Sequence, residues 1–96
     1  MPPALSPRER ARLKARAHPL EPVVQVGHGG LTEAVVAEVD RALAAHELIK
    51  VRVGVADRDH RAHVCESLSA KTDAAVVQQV GKVVVLWRPR ADEDEA

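Results

Sequence analysis

The sequence predicts a single α/β domain of order α-β-α-β-α-β-β, closed around a four-stranded mixed sheet, and three observations lead there. Valine dominates an apolar set that contains one aromatic residue, Trp87, and a valine-rich core favours strands. Apolar spacing switches repeatedly between a step of two and a helical step. A glycine-rich corner, Gly27-His28-Gly29-Gly30, joins a short strand to an amphipathic helix, and the remaining segments are arranged to present it. Ninety-six residues suffice for one domain and exclude a second.

Ser6, Pro7 and Glu9 open the first helix, with Ser6 as N-cap, Pro7 at the first helical position and Glu9 reaching back in a capping box. It runs to about Ala17 and Pro19 stops it. Arg8, Arg12 and Arg16 form one stripe, whereas Leu13 and Ala17 form a thin apolar seam flanked by Arg10 and Lys14. Pro22 to Val26 is a short strand whose flanking prolines suggest either an edge strand or a proline at the first strand residue. After the corner, Thr32 caps a second helix ending near His46, with Leu31, Val35, Val39, Ala42 and Leu43 on its buried stripe.

Leu48 to Val55 alternates: Ile49, Val51, Val53 and Val55 face one way, the cations Lys50 and Arg52 the other. Asp57 or Asp59 caps a third helix to about Lys71, with Val64, Cys65 and Leu68 turned inward. Ala74 to Val80 and Val83 to Arg88 are strands joined by Gly81-Lys82, which suits a type II′ hairpin.

The formal charge of zero hides an asymmetry. Asp92, Glu93, Asp94 and Glu95 stand together, so residues 91–96 form an acidic tail after a body of residues 1–90. Without those four acids, ten remain against fourteen bases, a body of about +4. A patch of one sign points to a polyanion, because a merely solubilising surface mixes Glu with Arg. The lone Cys65 cannot form an internal disulfide, there is no apolar leader, and no stretch approaches the roughly 18 apolar residues that cross a membrane. The expected location is the cytoplasm.

A turn needs one residue with positive φ, and three glycines in four positions exceed that need. The surplus fits close approach by something outside, and the N–H groups opening the next helix fit an anion. With no Gly-Lys-Ser/Thr ending, the corner is not a nucleotide-hydrolysing P-loop. His60 and His63 lie three apart near Cys65, but no metal-binding spacing accompanies them, and nothing sets a base beside the thiol. Neither a cofactor nor a small-molecule substrate is expected. Trp87 has two readings, packing against the sheet or a platform for one base.

The stretches AHPLEPVVQVGHGGLTEAVVAEV, HELIKVRV and VGKVVVLWRP together resemble the bacterial YhbY branch of the CRM family, named for chloroplast RNA splicing and ribosome maturation. The similarity covers nearly all of residues 6 to 90. It implies a fold similar to the C-terminal domain of bacterial initiation factor three, a KH-like GxxG loop carried by Gly27, His28, Gly29, Gly30, Leu31 and Thr32, and flanking bases on the first helix. It also implies RNA as partner, with the large ribosomal subunit in assembly as the setting. Two departures stand out: His28-Gly29 replaces a basic residue or Asn within the loop, and the tail is acidic.

The expected activity is therefore non-enzymatic binding of structured ribosomal RNA by a monomer. Gly27 to Thr32 contact the backbone, and Arg8, Arg12, Lys14, Arg16, Lys50 and Arg52 supply the field. The alternative is a protein interaction module of a ribosome-associated factor, docking through its sheet and tail. A small-anion enzyme is the third reading, for which no triad, carboxylate pair or metal cluster is found.

Overall fold

The computed structural model describes residues 1–90; the acidic tail, residues 91–96, lies outside the described residues. Seven elements follow in the expected order: α1 (Pro7–Ala17), β1 (Pro22–Val26), α2 (Glu33–His46), β2 (Leu48–Val53), α3 (Arg58–Thr72), β3 (Ala75–Val80) and β4 (Val83–Trp87). The four strands lie in the order β1-β2-β4-β3, so β1 is an edge, and Pro22 is also its first residue. β1 runs parallel to β2, and the other two pairings are antiparallel. The parallel pair follows from α2, because a helical crossover returns the chain to the end where β1 began.

The helix starts have local causes. The Ser6 hydroxyl accepts the Glu9 N–H at 3.1 Å while the Glu9 carboxylate accepts the Ser6 N–H at 2.9 Å, which completes the capping box. Thr32 caps α2 through the Val35 N–H, and Asp57, rather than Asp59, caps α3 through the His60 N–H. Gly81 has φ of 57° while Lys82 stays out of that region, as a type II′ turn requires.

β2 stops two residues before the expected Val55. It runs out of partners there, since β1 ends opposite Val53 and β4 begins opposite Arg52. Val55 nevertheless stays buried.

The core is built on one face of the sheet. Val24, Val26, Ile49, Val51, Val53, Val84 and Leu86 meet Val39 and Leu43 of α2 and Val64, Cys65 and Leu68 of α3. Burying that many aliphatic side chains, at about 1.5–3 kcal/mol each, is the main force holding the two helices down. On the other face α1 lays Leu13 and Ala17 over Leu48, Val77 and Val85, with Leu5 and Trp87 at the margin. One helix cannot cover a four-stranded sheet, so part of that face stays open.

Candidate nucleic-acid interface

The corner follows directly from the end of β1. The Gly30 N–H donates to the Gly27 carbonyl at 3.0 Å, closing a β-turn with His28 and Gly29 at its centre. Neither central residue has positive φ, so the turn is of a kind most residues adopt. Gly30 is different: its φ is 80°, and it is buried, whereas Gly27, His28 and Gly29 are exposed.

A side chain at Gly27 or Gly29 would meet nothing within 4 Å. Neither backbone conformation nor crowding by the chain itself therefore calls for glycine at these two positions. Gly30 needs glycine for its dihedral, and a Cβ there would touch the His60 ring at 3.6 Å, an ordinary contact. Among the described residues, nothing accepts the N–H of His28 or Gly29.

His60 belongs to α3, so its ring beside Gly30 brings the opening turn of a second helix to the same corner. The cause is the parallel β1-β2 pair, whose two C-terminal ends lie side by side: Val26 pairs with Val53, and the Gly54 N–H donates to the Val26 carbonyl at 2.7 Å. α2 follows one strand end and α3 the other. Two helix N-termini thus border one turn: Thr32 and Asp57 cap one N–H each and leave the other first-turn N–H groups without a helical partner, while Glu33, Asp57 and Asp59 offset part of the positive dipole ends. Sequence reasoning placed His60 only among candidate metal ligands and missed this position.

The predicted cations are spread along β2 and α1. Arg52 pairs with Gln25, next to the corner, and together with Lys50 it projects from the face of the sheet that α1 partly covers. Lys50 Nζ donates to the His18 carbonyl at 3.2 Å, and Lys14 shares a cavity with both residues. Arg12 and Arg16 instead border a shallow pocket with Glu9, Glu47 and Trp87. Glu47 immediately precedes β2, so this pair sits at the opposite end of that strand from the corner, roughly 16 Å away at the usual strand rise. Arg8 continues the same stripe and is exposed. The structure places Arg52 beside Gly27 to Thr32, sets Arg8, Arg12 and Arg16 toward the other end of β2, and leaves Lys50, which pairs with Pro22, and Lys14 between them.

Other bases serve the fold. Arg10 donates to the Val76 and Val77 carbonyls, and Arg61 to those of Val55 and Ala56. Arg88 joins Asp40 at 2.6 Å and also donates to the Thr72 carbonyl, tying α2 to the end of α3. Trp87 is half-buried against α1. Cys65 lies in the core, and burial pushes its thiol above the usual cysteine range, which favours an inert protonated side chain. Among the described residues no three His, Cys, Asp or Glu side chains converge as a metal site, and no helix is long and apolar enough to cross a membrane.

Comparison with known proteins agrees with this architecture. A Haemophilus influenzae protein named RNA-binding protein is 47% identical over 85 residues, covering 88% of this chain and 86% of its own. A Pseudomonas aeruginosa protein named probable RNA-binding protein is 41% identical over 85 residues, 88% of this chain and 82% of its own. A solution structure from Staphylococcus aureus, named as a candidate RNA-binding protein, superposes with a TM-score of 0.83 at 32% identity and covers 96% of both chains. The CRS1 / YhbY (CRM) domain model matches residues 5–88, and the chain therefore belongs to the CRS1/YhbY (CRM) domain family.

Proposed function

We propose that this chain binds RNA without catalysing a reaction, holding the sugar-phosphate backbone of structured ribosomal RNA and assisting assembly of the large ribosomal subunit. The contact surface is the loop Gly27, His28, Gly29, Gly30, Leu31 and Thr32, a GxxG loop in the sense of KH modules. Arg52, Lys50 and Lys14 supply the nearby positive field, and Arg8, Arg12 and Arg16 a second one. The protein acts in the cytoplasm as a monomer and needs no cofactor.

One observation carries this reading: Gly27 and Gly29 are glycines that the fold itself does not require. Glycine in an exposed turn costs conformational entropy on folding, so its value lies in what comes close from outside. Bare amides bordered by two helix N-termini suit phosphate oxygens. The names of the relatives support RNA as the polyanion.

The test is ultraviolet crosslinking in cells that express the wild-type chain or Gly29→Asp at equal level, followed by sequencing of attached RNA. Large-subunit ribosomal RNA should dominate the wild-type sample. The aspartate, which has room to fold but repels phosphate, should lower recovery about tenfold or more, as expected for losing a charge-assisted hydrogen bond of about 1.5–3 kcal/mol. Equal recovery by a folded variant removes the corner from the site, and a wild-type sample without ribosomal RNA removes the function.

A further inference from the structure

The half of the sheet that α1 leaves uncovered forms a cavity of about 360 Å³ that runs from Pro22 and Lys50 across β4 to β3, within the roughly 300–1,000 Å³ of small-ligand sites. Lys14, Ala17 and His18 at the end of α1 form one side, with Val85 tucked beneath them; Lys50 stands on β2, and Gln78 and Val83 line the open strands. Val80, which is 61% exposed, closes one wall. No carboxylate lines this cavity. Two larger cavities differ in this respect, since Glu21 borders one of about 580 Å³ and Glu33 and Asp40 border one of about 640 Å³.

An aliphatic floor, one amide and two lysines without acids match a nucleotide: a flat apolar base with hydrogen-bonding edges, attached to a phosphate. The surface also continues from the corner. Gln25 and Arg52 pair beside its first glycine, and Lys50 lies two residues further along the same face of β2. A strand leaving the turn therefore passes from Arg52 to Lys50 and arrives over the open face.

We infer that this open half-sheet is a second RNA contact, taking one or two unstacked nucleotides of the strand whose neighbouring phosphates rest on the corner. The inference rests on the RNA-binding reading above and extends it from backbone to base. With valines in place of aromatic rings, the floor offers no strong stacking, so the contact tolerates any base. Gln78 supplies the hydrogen-bonding group within the cavity.

The experiment compares two RNA probes on the full chain: a blunt hairpin, and the same hairpin with a four-nucleotide single-stranded overhang. Binding of each is measured for wild type and for the charge-neutral double variant Gln78→Ala, Val80→Ser, with circular dichroism to check the fold. The wild type should bind the overhang probe about tenfold more tightly than the blunt one. The variant should lose that gain and keep wild-type affinity for the blunt hairpin. Amide shifts at Gln78, Val80 and Val83 on adding the overhang probe, absent with the blunt one, give a second readout that needs no variant.

Equal affinity of the wild type for both probes overturns the inference and leaves the corner reading intact. A gain that survives the double substitution also overturns it. Shifts at these residues with an acidic peptide and none with the overhang overturn it in favour of a protein partner, and failure of the wild type to bind either probe defeats the parent reading too.

Discussion

Gly30 carries the structural load of the corner and its two neighbours in the turn do not. Its φ of 80° costs any L side chain about 1–2 kcal/mol, whereas Gly27 and Gly29 lie in open space outside that region. Gly30→Ala should therefore lower unfolding free energy in urea by about 1–2 kcal/mol. Gly27→Ala and Gly29→Ala should each stay within about 0.5 kcal/mol of wild type. The sequence shows three equivalent letters here. Only the backbone dihedrals separate the glycine that folding needs from the two that a guest needs, because φ depends on how β1 hands the chain to α2.

α1 is the element whose start is fixed most locally. Ser6→Ala removes a cap and should cost about 1 kcal/mol of stability, read from urea midpoints at neutral pH. Glu9 adds a pH dependence. The Ser6 backbone N–H, and then its hydroxyl, hold the Glu9 carboxyl below the usual glutamate range. A depressed folded value makes the contribution complete above the unfolded pKa and lost as the pH falls through the folded one. Glu9→Gln should flatten the acid side of the stability profile by lowering stability at neutral and alkaline pH, while stability below the folded pKa stays as it was. This motif was fully legible in the sequence because its partners are three residues apart. The role of Arg10 was not, since its acceptors lie 66 and 67 residues downstream on β3.

At the scale of the molecule, positive charge runs along β2 from Arg52 beside the corner, through Lys50, to the arginines of α1. Arg52 at one end and Arg12 and Arg16 at the other are farther apart than the Debye length of about 10 Å at 0.1 M salt, with Lys50 and Lys14 between them, so RNA confined to the corner gains little from Arg12 or Arg16. Arg52→Ala should weaken binding of any RNA that fills the corner and reduce the slope of log affinity against log salt by about one. Arg12→Ala should do the same only for a hairpin long enough to lie along the sheet, and titrations with short and long hairpins separate the two. The order and ends of the elements were readable from periodicity and capping within a residue or two. The placement of the cations was not, because it depends on which edge each strand takes and on the angle at which α1 crosses the sheet.

Arg10 has a wider effect than its two hydrogen bonds. By occupying carbonyls of an edge strand where β3 also shifts register, it leaves an incoming foreign strand with an irregular, partly spoken-for ladder. Growth into a filament or a swapped pair would have to begin at the opposite margin, where a proline opens a strand of five residues.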